Sequence, residues 1–295
     1  MISVIVNPAS GGGRAGELAS GVRRELERRR IGYRMQTIRS FDEAAACARV
    51  AHANGHIAVA LGGDGLISAL AGALQGTDGV LGILPSGRGN DFARVLGIPL
   101  DPVAACEVLA TGIPARLDIG RAGERTFLGV ASCGLDSVAN RIANQTRLVR
   151  GKLVYAYGGV RALAVWKPAS FRLRLDGEPL ALSGYTVAIA NSSAYGGGMR
   201  IAPDASLTDG LFDVVLLSDL SRARLLSHLP KVFRGSHTKL PFVKIVQARE
   251  VEVDADRKFT VYADGEPLAD LPVKLTVQPA AIRVQVPAGS ALPAS

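Results

Sequence analysis

Asp64 is a lone carboxylate set among glycines, in Gly62-Gly63-Asp64-Gly65. Glycines lack the Cβ atoms that would keep a phosphate away from main-chain N–H groups, and an acid beside them can hold or orient a metal ion. The same residues also suit a plain strand-to-helix turn with a capping Asp. Two further glycine-rich polar loops occur: Asn7-Pro8-Ala9-Ser10-Gly11-Gly12-Gly13, and the stretch 85–94 with Gly87, Arg88, Gly89, Asn90 and Asp91. Later, 203–211 carries Asp204 and Asp209. Asp209 with nearby carbonyls suits Ca2+ or Mg2+, and a solvated turn fits the composition equally. Asp-Gly-Glu-Pro-Leu occurs at 176–180 and again at 264–268, each copy fitting a type I′ hairpin turn. Nothing local separates the two copies.

Elements must carry these loops to one place. Runs at 2–6, 33–38, 57–61 and 80–84 read as strands, the third short and apolar enough to be covered on both faces. Helices are expected from the first loop to about Arg30, over 42–54 with Asp42 as N-cap, and over 66–74. This β-α-β-α-β order belongs to a parallel α/β sheet, whose ligand crevice lies at strand C-terminal ends, where all three loops fall. Gly11-x-Gly13-x-x-Gly16 also satisfies the dinucleotide fingerprint, which makes an oxidoreductase an alternative. Against it, Pro8 and Ser10 lengthen the turn, and the next strand ends at Arg39-Ser40 with no acid to hold a ribose.

Near residue 120 the texture changes to mostly strands. The region 133–165 looks helical and basic, with Arg141, Arg147, Arg150, Lys152 and Arg161. A period-two strand at 171–175 turns at Asp176-Gly177, and more strands are expected at 184–191, 211–217, 243–253, 258–263, 271–277 and 281–286. The fold class is therefore α/β + β. A parallel α/β nucleotide-binding domain spans 1–120, a β-sandwich-like domain spans 121–280, and a strand and tail at 281–295 can return to the first domain. Residues 221–235 are amphipathic, with Leu225, Leu226, Leu229, Val232 and Phe233 on one side. Such a stripe packs on its own core or meets a membrane, and Pro230 is expected to kink it.

The 295 residues are 48% hydrophobic, enough for a core in each domain. Lys and Arg outnumber Asp and Glu by 34 to 26, a formal charge of +8 that favours an anionic partner. Aromatics are only 5%, so the interleaved rings and bases of a single-strand nucleic-acid binder are missing, and nucleic acid is not expected as a partner. Cys47, Cys106 and Cys133 are odd in number and far apart, as small thiols in a reducing cytosol would be. No cleavable leader and no apolar run of about 18 residues is present, so any membrane contact is expected from the surface.

Taken in order, VNPASGGG at 6–13, GGDG at 62–65, LPSGRGNDFAR at 84–94, GGGMRIAPDASLTDGLFDVVLL at 196–217 and YADGEPL at 262–268 span nearly the whole chain. Together they resemble the diacylglycerol kinase catalytic domain family, which includes sphingosine kinases and bacterial lipid kinases and is distantly related to NAD kinases. The resemblance implies a two-domain kinase that moves the γ-phosphate of ATP to a lipid hydroxyl with Mg2+. On that pattern Gly63, Asp64 and Gly65 line the nucleotide phosphates, with Asp64 linked to the ion and Gly62 beside them. Asn7, Gly11 and Gly12, with Thr37 and with Gly87, Arg88, Asn90 and Asp91, would complete the nucleotide site. Asp209 with the carbonyls of Ser206 and Leu211 is similar to the family's structural metal site. Asp264 and Glu266 match its general-base motif, which favours the second Asp-Gly-Glu copy.

Two residues depart from the pattern. Leu66 stands where the family commonly has Thr, and Gly87-Arg88 where it often has Gly-Thr. A lost hydroxyl removes one phosphate donor, whereas Arg88 adds a charged fork. The implied partners are a lipid substrate at a membrane surface and anionic phospholipid, toward which Arg141, Arg147, Arg150, Lys152, Arg161, Lys167 and Arg172 offer charge. The implied location is cytoplasmic with peripheral membrane association, and a homodimer stays open. A soluble NAD kinase-like phosphotransferase is the nearest alternative. A nucleotide- or lipid-binding module with impaired catalysis, suggested by Leu66, is the other.

Overall fold

The computed structural model describes residues 1–146, 153–290 and 292. The chain forms two compact units, one from residues 1–119 and 279–295, the other from 120–278. In the first unit β1 (Ile2–Val6), α1 (Arg14–Arg28), β2 (Tyr33–Thr37), α2 (Phe41–Ala53), β3 (Ile57–Gly62), α3 (Asp64–Leu74) and β4 (Val80–Pro85) alternate. Then come α4 (Asp91–Val95), α5 (Pro102–Thr111) and β5 (Ile113–Ala122), whose first seven residues belong to this unit. β1 is buried at all five residues and pairs in parallel with β2 on one side and β3 on the other, while β4 lies beyond β3. The order β2-β1-β3-β4 reverses direction at β1, the kind of switch point where open α/β sheets bind ligands. β2 alternates half-buried and exposed residues, as an edge strand should. Ser40, rather than the expected Asp42, caps α2: its hydroxyl accepts from Glu43 N at 3.1 Å. A hydroxyl one residue before the helix has the geometry that an Asp inside the first turn lacks.

In the second unit β6 (Arg125–Phe127) and β7 (Val130–Gly134) lead into α6 (Leu135–Gln145) and α7 (Leu153–Val165). β8 (Ala169–Leu175), β9 (Glu178–Ala190), β10 (Phe212–Ser218), α8 (Arg222–Phe233), β11 (Val243–Ala248), β12 (Glu250–Ala255), β13 (Thr260–Ala263), β14 (Glu266–Asp270) and β15 (Val273–Val286) follow. β9 is the hub: its first half pairs with β8, its second half with β7 and β10. Phe127 stacks on Phe212 at 5.7 Å, and Trp166, Tyr185, Phe171 and Phe259 form a connected ring cluster in the core. The arrangement is sandwich-like, with helices α6, α7 and α8 set on the strands.

Several boundaries differ from those expected. The region from 133 begins in a buried strand, β7, before α6; Arg147, Arg150 and Lys152 lie outside the described residues. The single strand expected over 243–253 is two, because the Asp176 carboxylate accepts from both Arg249 N at 2.9 Å and Glu250 N at 2.8 Å. The strands expected at 271–277 and 281–286 are one, β15, which continues through Ala280 at φ 49. Its residues from 279 on belong to the first unit, where Arg283 and Val284 pair in parallel with β4. α8 runs on through Pro230. Cys106 and Cys133 are buried free thiols, and Cys47 is half-buried.

Candidate active site

The three glycine loops do meet in the first unit. Gly11, Gly12 and Gly13 take φ values of 63, 77 and 96, a run of left-handed residues that only glycine adopts without strain. The loop before them is held by Asn7, whose Oδ1 accepts from Ala9 N at 3.1 Å. Ser10 Oγ accepts from Gly63 N at 3.3 Å, joining the first loop to the second. A Cβ on Gly87 would stand 2.5 Å from the Cα of Gly63, so these two loops touch backbone to backbone. Asn90, itself at φ 53, clamps its own turn by accepting from Gly87 N at 2.7 Å. The carboxylate of Asp64 accepts from Asp91 N at 3.3 Å and Phe92 N at 3.2 Å. Asp64 thus caps the start of α4 in the neighbouring loop, although it sits in the first turn of α3. Arg88 and Thr37 are exposed, Thr37 at the end of β2 beside Val6. Leu66 is 1% exposed and packs under Gly62, so the departure at this position is a core side chain and not an altered loop surface. Ser10 is a loop-joining residue that the sequence motif contained without marking.

In the second unit the two Asp-Gly-Glu copies have one backbone. Asp176 and Gly177 have φ 50 and 89, Asp264 and Gly265 have φ 52 and 86, and both turns connect paired strands. Both aspartates hold the N–H groups of another segment: Asp176 those of Arg249 and Glu250, Asp264 those of Leu128 at 2.8 Å and Gly129 at 2.9 Å. Arg125 fastens the second hairpin further, donating to the carbonyl of Pro267 at 2.9 Å. Glu266 is crowded enough that desolvation lifts its carboxyl above the ordinary range, although its surface remains open to solvent.

Asp209 Oδ1 accepts from Leu211 N at 3.0 Å, an Asx turn on the short loop that also carries Ser206. Beside it, burial first, then Asp209 and more weakly Asp204, push the Asp213 carboxyl up against a hydrogen bond from Gln247, and the buried Oδ2 of Asp213 has no hydrogen-bond partner among the described residues. This corner is rich in oxygen, which fits a hard cation. Among the described residues no three His, Cys, Asp or Glu side chains converge as metal ligands, so carbonyls must supply part of any such shell.

The second unit also encloses a cavity of about 250 Å³, walled by α6, α7, α8 and β10 and lined by side chains such as Leu135, Leu163, Ile201, Val215, Leu229 and Phe242. Polar groups are few. Asp136 and Tyr195 form one pair, the hydroxyl donating to the carboxylate at 2.8 Å, and His228 and His237 stand elsewhere on the wall. Burial raises the Asp136 carboxyl to about 6 against the opposing effects of Tyr195 and Thr186, and Asn140 is the remaining polar side chain of the lining. Asp136 belongs to no motif read from the sequence, and its partner Tyr195, in the polar glycine loop 190–199, lies 59 residues away. Of the basic residues expected to offer charge to anionic lipid, Arg172 is committed to Asp254 across β8 and β12 at 2.6 Å.

Comparison with known proteins agrees with this architecture. Residues 1–122 match the family described as the diacylglycerol kinase catalytic domain, and 129–286 match the YegS C-terminal NAD kinase beta sandwich-like domain. A diacylglycerol kinase of Mycobacterium tuberculosis is 35% identical, the match covering 97% of this chain and 95% of that protein. A protein of Pseudomonas putida named "Probable lipid kinase YegS-like" is 32% identical over 79% of this chain and 78% of its own length. A solved diacylglycerol kinase structure from Bacillus anthracis superposes with a TM-score of 0.76 at 17% identity, covering 98% of this chain and 97% of that one; it speaks for the fold alone. With family matches over 1–122 and 129–286 and relatives above 30% identity that cover more than three quarters of each chain, the chain belongs to the diacylglycerol kinase and YegS-like lipid kinase family of phosphotransferases.

Proposed function

We propose that this lipid kinase uses ATP, held on the three loops of the first unit, and phosphorylates the hydroxyl of a lipid whose apolar part enters the cavity of the second. The cavity is the observation that carries this reading. A dinucleotide acceptor of the NAD kinase type would bring ribose hydroxyls and phosphates that need many polar partners, and the lining offers few. An acyl chain needs none.

Glu266 is the base. It takes the proton of the lipid hydroxyl as that oxygen bonds to the γ-phosphorus, and the bond to the β-phosphate oxygen breaks to release ADP. A carboxyl lifted by desolvation is a stronger base than a free one. Asp264 is engaged by two backbone N–H groups, as Asp176 is in the first copy, and its role is to hold the turn. The N–H groups of Gly63 and Gly87 are taken by Ser10 and Asn90. Phosphate contacts therefore fall to Gly11, Gly12, the first turn of α3 at Gly65, and the Arg88 guanidinium. Mg2+ at Asp64, when bound, would offset charge on the transferring phosphate, and a structural ion would sit at Asp209 with the carbonyls of Ser206 and Leu211.

Filling the cavity tests the reading. Ala139, on α6, lines it. Ala139→Trp is expected to lower kcat/KM for a long-chain diacylglycerol at least about tenfold while ATP affinity is kept. Unchanged turnover of the long-chain lipid, in a variant with an unaltered melting curve, would contradict it.

A further inference from the structure

The cavity opens between two helices whose outer faces are not covered by any described residue. Leu226, Leu229 and Phe233 on α8 are 45%, 38% and 51% exposed, and Val160 on α7 is 55% exposed. All four also line the cavity, so the apolar surface of the rim is continuous with the apolar wall inside. Spacing of three and four residues puts the α8 trio on one helical face. Leu225 and Val232, the partly buried members of the same stripe, pack inward against the strands. Burial of the stripe is thus divided: one edge seats the helix, and the other has no cover among the described residues.

Charge on the same helices has one sign. From Arg222 to Arg234 the sequence holds Arg222, Arg224, Lys231 and Arg234 and no acid. Arg222 is spent on structure, donating to the carbonyls of Ala164 at 2.9 Å and Trp166 at 2.6 Å and so fastening the start of α8 to the end of α7. Arg161, Arg224, Lys231 and Arg234 form no ion pair among the described residues. An apolar patch flanked by unneutralised cations suits the interfacial region of an anionic bilayer, with apolar side chains among the acyl chains and cations at the headgroups. A second copy of the chain would bring the same positive charges against these.

We propose that the exposed faces of α7 and α8 dock on an anionic phospholipid bilayer, so that a lipid passes from the membrane into the cavity without crossing water. The lipid-acceptor reading is needed only for what enters the cavity; docking itself is independent of it. The test is therefore binding without ATP: co-sedimentation of the full chain with vesicles of equal phosphatidylglycerol and phosphatidylcholine, and with phosphatidylcholine alone. Binding is expected to the first and to be weak on the second. The triple variant Arg224→Gln, Lys231→Gln, Arg234→Gln is expected to bind phosphatidylglycerol vesicles roughly 100-fold more weakly, at about fivefold per charge. Phe233→Asp is expected to abolish binding while the melting curve is kept. Equal binding to both vesicle types, or binding that survives in both variants, would overturn the proposal. A wild-type dimer that Phe233→Asp dissociates, with no vesicle binding by the wild type, would overturn it in favour of a self-association face. Failure of phosphoryl transfer with docking intact would count against the lipid-acceptor reading alone.

Discussion

At the residue scale, the two Asp-Gly-Glu turns separate structure from chemistry. Asp176 and Asp264 do the same mechanical work, each accepting two main-chain N–H groups from another segment. Asp176→Ala and Asp264→Ala are each expected to cost about 1–3 kcal/mol in urea unfolding, because two donors lose their acceptor. Only the second should also slow turnover. Glu266→Gln is expected to lower kcat about 10²–10⁴-fold with ATP affinity kept, while Glu178→Gln changes neither. In the role proposed for it Glu266 works ionised, so wild-type kcat/KM is expected to rise with pH through a value above that of an ordinary glutamate and then level off. Asp136 gives a stability test with the opposite sense. Its folded carboxyl ionises at about 6, against 3.8 for an unperturbed aspartate. Below the lower value both folded and unfolded chains are protonated and no penalty exists; as pH rises to 6 the unfolded chain ionises first, and the fold loses stability. Asp136→Asn should therefore gain on wild type between pH 4 and 7, by up to about 3 kcal/mol, in denaturant titrations at the two pH values. The Asp-Gly turns were legible because a type I′ turn is written in two adjacent residues. The Asp136–Tyr195 pair was not, since only the fold brings together residues from α6 and from the loop after β9.

At the scale of elements, the proposed nucleotide cradle is made by loops that hold one another. Gly63 and Gly87 are glycines because their backbones touch, Ser10 and Asp64 tie neighbouring loops with side-chain acceptors, and Asn90 fixes the turn of its own loop. Gly87→Ala, with its Cβ at 2.5 Å from Gly63 Cα, must push the loops apart. An expected cost of about 1–3 kcal/mol should appear as weaker ATP binding in calorimetry, and Gly63→Ala, at 3.1 Å from Gly87 Cα, should cost less. The alternating strands and helices of the first unit were readable from continuous apolar runs and glycine punctuation. The second unit was less so. β7 is short and sits directly before α6, and the break between β11 and β12 is imposed by Asp176 from 73 residues away. No local pattern encodes either. Leu66, which departs from the family's loop pattern, proves to be a core residue of α3.

At the scale of the molecule, the chain leaves the first unit after Ile119 and returns at Pro279 to complete it. The returning residues Ile282, Val284 and Val286 are 1%, 0% and 0% exposed. Burial of three such side chains contributes about 5–9 kcal/mol, comparable to the whole stability of a domain. A chain ending at residue 278 is expected to lose protease resistance and ATP binding in the first unit. No helix among the described residues is long and apolar enough to cross a membrane. The proposed reaction is phosphoryl transfer from ATP to a lipid hydroxyl, and one measurement addresses it directly. The purified chain is given γ-labelled ATP and Mg2+ together with both phosphatidylglycerol vesicles carrying diacylglycerol and free NAD, and the label is followed by extraction into organic and aqueous phases. The account predicts label in a phosphorylated lipid, greatly reduced by Glu266→Gln; label in NAD alone, or in neither acceptor, would contradict it.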